Sequence, residues 1–345
     1  MRFFAETSRA NFDYAPHLSV SSIQKRHVTK SKIRCFSKSE KRRNTGEKKP
    51  SFTKGGSPQS PINSMQIFDT HAHYFDARFE REGEGGADAI LRALLPDPVR
   101  NIVNVGTDCH TSRLAIEQAA KYNGMYAAVG IHPGDCHYLS DPDAALEELA
   151  ALLGNADTRR RDKIVALGEI GLDYHWQEYN GIPMDKPKMA YFFERQMELA
   201  ERLELPVIIH DREAHGDCFE TVLRYPNVRG VFHSYSGSAD MARELVRRGW
   251  YLSFSGTITF KNANRVREAA LAVPRERLLI ETDAPYLAPH PMRGALNHSG
   301  LLIHSLETLG ELWGCAPEEA ARITASNARA FFFGEIREND QNKRG

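Results

Sequence analysis

"IFDTHAHYFDARF" (residues 67–79) opens as an apolar run and then carries two histidines two residues apart. On a β-strand, residues i and i+2 face the same side, so His71 and His73 can converge on one ion. A chain with 14 histidines also produces an H-x-H pair by accident, so the rest of the sequence has to decide.

The same kind of run recurs seven times: NIVNVG (101–106), YAAVGIHP (126–133), KIVALGEIGLD (163–173), LPVIIHD (205–211), VRGVFHSYSG (228–237), YLSFSGTIT (251–259) and RLLIETDAP (277–285). Helical patterns lie between them. DPDAALEELAALLG places Asp141 as N-cap and Pro142 at the first helical position, repeats Leu146, Leu149 and Leu153, and ends at Gly154. MAYFFERQMELAERL carries an amphipathic face through Met189, Phe192, Phe193, Gln196, Met197 and Ala200, while SADMARELVRRG starts on Ser238 and stops at Gly249. Eight β-type runs alternating with helices over about 270 residues predict a (β/α)8 TIM barrel. The runner-up, a doubly wound open sheet, lacks support because no GxGxxG loop follows the first strand.

The net charge of zero over 345 residues conceals two different polymers. Residues 1–64 hold 14 Lys+Arg against 4 Asp+Glu, few large apolar residues, and the run KSEKRRNTGEKKPSFTKGGSPQSP. Such a composition predicts a disordered basic extension. It reads as an arm touching nucleic acid, as a transit peptide, or as the product of an upstream start site, since Met65 stands directly before QIFDTHAH. The domain is expected over 65–335, with 336–345 a polar tail. No apolar run approaches the roughly 18 residues of a membrane span. The five cysteines (35, 109, 136, 218 and 315) fit neither a disulfide framework nor a CxxC site, which points to a reducing, cytoplasmic setting. No segment demands an obligate protein partner.

A barrel carries its chemistry at the C-terminal ends of its strands. Read in order, those ends present His71 and His73, His132, Glu169, His210, His233 and Asp283. Each alone is explicable as a hydrogen-bonded barrel residue, but a bound metal accounts for all of them together. With His132 set apart, the six remaining ligands exceed what one zinc takes from a protein in a catalytic site. Two divalent ions about 3.5–4 Å apart, bridged by a carboxylate, use all six. Glu169 is the expected bridge: one ion takes His71, His73, Glu169 and Asp283, and the other takes Glu169, His210 and His233. The ions would lower the pKa of a water from 15.7 to about 7, and Asp283 would accept its proton. The cluster stays net positive and suits a phosphodiester or a polarised carbonyl. Around it, Arg212 and Arg293 are each either a phosphate clamp or a surface ion-pair partner. Tyr174 and His175 either stack on a base or fill the mouth, and His132 is either a partner of a ligand or a substrate contact.

Together FDTHAHYFDARF, VGIHPGD, ALGEIGLDYHW, LPVIIHDREAHGD, GVFHSYSG and LLIETDAPYLAP resemble, in that order, the TatD-like metal-dependent hydrolases. The likeness runs from about residue 66 to ITASNARAFFF near residue 333. It implies a TIM-barrel deoxyribonuclease, often a 3′→5′ exonuclease on DNA ends or single strands, with two divalent metals at the six positions above. The resemblance implies Mg²⁺ or Mn²⁺, and the histidine-rich shell also suits Zn²⁺. One departure stands out: where the family pattern has Asn-x-Pro, this chain reads Asn297, His298, Ser299. The principal rival is an amidohydrolase-type enzyme acting on an ester or amide, for example a D-aminoacyl-tRNA ester. Glu169 in place of a bridging carbamylated lysine argues against its closest representatives. A non-enzymatic binding barrel predicts a decayed ligand set, and all six ligands are present.

Overall fold

The eight apolar runs form one parallel sheet hydrogen-bonded in chain order. Its strands are β1 (Ile67–Ala72), β2 (Arg100–Val105), β3 (Met125–Val129), β4 (Ile164–Asp173), β5 (Val207–Arg212), β6 (Gly230–Phe232), β7 (Tyr251–Phe254) and β8 (Leu278–Ile280). This computed structural model describes Met65, residues 67–95 and residues 100–334. The expectations for residues 1–64 and 336–345 lie outside the described residues. Closure of β1 on β8 runs through a parallel bridge between Ala72 and Ala284. Two backbone bonds back it: His73 N–H to the Ala284 carbonyl at 2.7 Å, and Asp283 N–H to the His71 carbonyl at 2.9 Å. The sheet is therefore a (β/α)8 barrel, as the alternation predicts.

Helices cover the outside where their caps predict. Asp141 accepts from Ala144 N–H to start the helix Pro142–Leu153, and Ser238 accepts from Met241 N–H to start Ala239–Arg247. The helix Lys186–Leu203 buries Met189, Phe192, Phe193, Gln196, Met197, Leu199 and Ala200 against the strands. No helix among the described residues is long and apolar enough to cross a membrane.

Inside, Phe68, Val103, Val105, Ala128, Ala166, Ile208, Val231 and Leu279 form one buried cluster with Ala325, Ala328, Phe331 and Phe332 of the last helix, Pro317–Phe333. Phe331 lies 5.0 Å from Tyr251 and Phe332 lies 5.8 Å from Phe68, ring centre to ring centre. The end of that helix thus fills the floor of the barrel and leaves the opposite end for polar residues.

Four runs extend well past their strands. β3, β6, β7 and β8 stop at Val129, Phe232, Phe254 and Ile280, so His132, His233 and Asp283 stand past the ladder. Ser234 (φ 41°) and Asp283 (φ 58°) adopt left-handed backbone that a strand does not accommodate.

Phe331→Ala removes a fully buried ring from the floor and is expected to cost about 3–5 kcal/mol in chemical denaturation. Leu271→Ala, at an exposed position, should stay within about 0.5 kcal/mol. Equal losses for the two would contradict this account of the core.

Candidate metal centre

Irregularities in the strands aim the polar side chains. The β1–β2 register shifts between Asp69 and Ala72, across His71, and the β4–β5 register shifts between Leu167 and Ile170, across Glu169. Bulges of this kind turn side chains beside active sites. Glycines make the second one feasible: a Cβ on Gly168 would lie 2.7 Å from Ile208 Cβ, and one on Gly171, at φ 144°, would collide with the His210 carbonyl. The loop after β3 is held from outside. Buried Gln196 accepts from Ile131 N–H at 2.8 Å and donates to the Ile131 carbonyl at 3.0 Å, fixing the segment that presents His132.

Glu169, 1 % exposed, is the centre. Its Oε1 lies 2.6 Å from both His210 Nδ1 and His233 Nε2, and 3.8 Å from His132 Nε2. Its Oε2 lies 3.3 Å from His71 Nε2 and 3.8 Å from His73 Nε2. Asp283 Oδ1 stands 3.3 Å from His73 Nε2 and 3.8 Å from His71 Nε2. Three groups have donor atoms close enough to share a cation: His71–His73–Asp283, His71–Glu169–His233 and His132–Glu169–His210. All six residues expected to be ligands are therefore brought together, and His132 joins them.

The outer faces of the histidines decide what the inner faces can do. His73 Nδ1 donates to the Val105 carbonyl at 2.7 Å. His210 Nε2 lies 3.4 Å from Asp173 Oδ2, and His233 Nδ1 lies 3.3 Å from Glu281 Oε1. An outer nitrogen that donates leaves the inner nitrogen of a neutral ring with a lone pair. Those lone pairs then face each other and two carboxylates: His71 Nε2 is 3.1 Å from His73 Nε2, and His210 Nδ1 is 3.1 Å from His233 Nε2. Glu169 Oε2 and Asp283 Oδ1 are buried with no hydrogen bond among the described residues, whereas His132 Nδ1 accepts from Gly134 N–H at 2.9 Å, so its Nε2 carries the proton of the neutral ring. A convergent set of buried acceptors fits divalent cations.

Protons are the alternative occupants. Burial alone would lower the His210 pKa, but the Glu169 and Asp173 carboxylates push it up to about 9. His73 and His233 are raised against burial in the same way, by Asp283 and by Glu169 respectively. Burial would raise Glu169 and Asp283, yet the surrounding histidines hold both below the ordinary carboxylate range. His132 goes the other way, lowered to about 3 by burial and by neighbouring His210.

Beside the cluster lies a cavity of about 460 Å³, lined by His210, His233 and Asp283 together with Arg78, Arg212 and Arg293. Arg212 stacks 5.4 Å from the Trp176 ring and Arg293 3.8 Å from that of Phe260. Tyr174 lies outside this lining: its hydroxyl donates to Asp217 at 2.7 Å and its ring sits under Lys186. His175 pairs with Glu213 at 2.6 Å. Sequence reasoning did not find Asp173, Glu281 or Arg78. Asp173 and Glu281 stand within the quoted GLD and IET motifs, but only the fold shows which imidazole each one faces.

Because cations compete with protons on His73, His210 and His233, metal uptake at pH 7 is expected to release protons. Affinity should climb with pH through the His210 value of about 9, because His210 and His233 must each give up the proton that the carboxylates hold on them. Zn²⁺ calorimetry in two buffers of different ionisation enthalpy checks this, and identical apparent enthalpies would contradict it.

Comparison with known proteins agrees with this geometry. The family described as TatD related DNase matches residues 68–333. The "uncharacterized metal-dependent hydrolase YabD" of Bacillus subtilis is 38% identical over 270 residues, covering 77% of this chain and 98% of its own. The "uncharacterized metal-dependent hydrolase TatD" of Mycobacterium tuberculosis is 37% identical, covering 79% of this chain and 100% of its own. The crystal structure of YjjV, a TatD homolog from Escherichia coli, superposes with a TM-score of 0.68 at 29% identity, covering 78% of this chain and 98% of that one. The chain belongs to the TatD family of metal-dependent hydrolases.

Proposed function

We propose that the chain is a divalent-metal-dependent deoxyribonuclease that removes nucleotides from the 3′ ends of DNA. The observation that carries this reading is the set of three guanidinium groups, from Arg78, Arg212 and Arg293, in the wall of the cavity that opens on His210, His233 and Asp283. Arginine matches phosphate oxygens bidentately, which favours a nucleic acid over a small uncharged ester or amide. A tRNA ester would meet the same groups through its phosphates, so assays on both substrates have to separate the two.

In this reading His71, His73, Glu169 and Asp283 hold one ion, and Glu169, His210 and His233 hold the other. His132 lies beside them, but its Nδ1 accepts from Gly134 N–H, so the Nε2 it turns toward Glu169 is a donor rather than a ligand. Divalent ions bound there polarise a phosphoryl oxygen and lower the pKa of water. Asp283, kept ionised by the histidines around it, orients the attacking water and accepts its proton. Arg78 stacks 5.5 Å from Tyr286, so all three guanidinium groups rest on aromatic rings, which limits the freedom they lose on gripping phosphate. Ser234, Ser236 and Thr257 offer hydroxyls from one wall, and Pro285, Leu287 and Ala288 offer an apolar surface for sugar and base. The cavity volume falls in the range of small-ligand sites, which suits the end of a strand better than a continuous duplex.

The full chain, given Mg²⁺ or Mn²⁺ and a 5′-labelled single-stranded DNA, should yield a ladder that shortens from the 3′ end and disappears with EDTA. Asp283→Asn should lower kcat by about 10²–10⁴-fold while leaving the fold intact by circular dichroism. A variant with a near-normal rate would remove Asp283 as the base. Arg293→Ala should lower kcat/KM by about 10–100-fold through a lost charged hydrogen bond, and an unchanged value would return Arg293 to a surface role. If the metal-loaded chain leaves DNA intact but hydrolyses a D-aminoacyl-tRNA ester, the nuclease reading fails.

A further inference from the structure

Asp69 lies in β1, two residues before His71, and is completely buried. Its two oxygens accept four hydrogen bonds. Oδ1 accepts from the N–H groups of His71 (3.3 Å) and Thr282 (2.9 Å). Oδ2 accepts from the hydroxyls of Thr282 (2.5 Å) and Ser299 (2.6 Å). Both backbone groups can only donate, and both meet Oδ1. An asparagine would therefore turn its N–H₂ toward the Thr282 and Ser299 hydroxyls and force both to reverse from donor to acceptor.

These bonds join the two segments that meet at the barrel seam. His71 and His73 come from β1, whereas Asp283 follows β8, one residue after Thr282. Regular pairing between these segments is confined to the Ala72–Ala284 bridge and its neighbours. Ser299 extends the link: its N–H donates to the Tyr74 hydroxyl at 2.9 Å, and that hydroxyl lies 2.8 Å from Ser299 Oγ. Tyr74 directly follows His73, so the Asp69–Ser299–Tyr74 chain encloses the histidine pair on both sides.

We propose that Asp69 is a positioning residue that fixes Asp283 relative to His71 and His73 through Thr282, with Ser299 bracing its outer oxygen. Asp69 touches neither substrate nor cation; it sets the spacing of three side chains that do. The inference rests on the reading of His71, His73 and Asp283 as one cation site, and the experiment separates the two.

The test titrates the full metal-free chain with Co²⁺, following visible absorption and heat, alongside the melting temperature of each metal-free variant. Wild type should take up two equivalents. Asp69→Asn should weaken one of them by about 10–100-fold, the range for removing a partner of a metal ligand, and leave the other unchanged. Ser299→Ala should weaken the same equivalent to a smaller degree, and Ser299→Thr, which keeps the hydroxyl, should restore it. Two equivalents of unaltered affinity in a folded Asp69→Asn, whatever its melting temperature, would make Asp69 structural only and overturn the proposal. If Asp69→Asn does not fold, the Ser299→Ala and Ser299→Thr pair decides, and equal affinities in both would overturn it. Failure of the wild type to take up Co²⁺ would remove the cation site itself, and the proposal with it.

Discussion

A carboxylate with almost no solvent contact is costly to keep ionised, and Glu169 is kept so by the imidazoles gathered around it. The dependence is mutual. Without that charge, His210 and His233, both 2.6 Å from Glu169 Oε1, would face only each other and further rings. The surrounding architecture serves this one contact. A register shift turns Glu169 inward, Gly168 and Gly171 let β5 approach closely enough to deliver His210, and Gln196 braces the loop that brings His132. Outer acceptors on Val105, Asp173 and Glu281 then set which nitrogen of each ring faces the centre.

Much of this was legible in the sequence, for a physical reason. Parallel strands buried on both faces must be apolar throughout, so a histidine or glutamate closing such a run is conspicuous, and a barrel collects those ends at one rim. His71, His73, His210, His233 and Asp283 announce themselves this way, and Glu169 stands out as a charge between two glycines in the middle of β4. Asp69 does not, because it sits inside the run and its partners, Thr282 and Ser299, are more than 200 residues away. Asp173 and Glu281 were hidden by their proximity to stronger signals: each stands near a ligand candidate in sequence but serves a different one in space. Arg78 belongs to a short helix whose place over the cavity follows from the path of the chain after β1, which no periodicity encodes.

The one departure from the family pattern, Asn297–His298–Ser299, proves to be an ordered connection of different chemistry. Asn297 donates from its amide to the carbonyls of Thr282 (2.9 Å) and Tyr286 (2.5 Å), tying the loop across the segment that carries Asp283. A proline at 299 would have neither the N–H that reaches Tyr74 nor the hydroxyl that reaches Asp69. Here the stiffness that a pyrrolidine ring supplies through its fixed φ is replaced by three hydrogen bonds to buried groups. The loop over the cavity is thereby coupled directly to the spacing of the histidine pair.

Charge gives the final constraint on what can reach this centre. After residue 64 the chain carries 31 basic and 41 acidic residues, the compensating +10 belonging to the segment before it. The barrel by itself therefore repels a polyanion at long range. At the cavity, within a Debye length of about 8 Å at physiological ionic strength, Arg78, Arg212 and Arg293 stand against Asp211 and Asp283 of the same lining and Glu82, which pairs with Arg78. On the proposed reading, a strand end entering the cavity would meet the guanidinium groups of Arg78, Arg212 and Arg293. Few phosphates would be neutralised in that arrangement, and on a single strand each contributes a slope of only about −0.7 to the logarithmic salt dependence of binding. On that same reading, an acidic barrel with arginines at its mouth would favour ends over internal sites through the location of its charges rather than through base recognition.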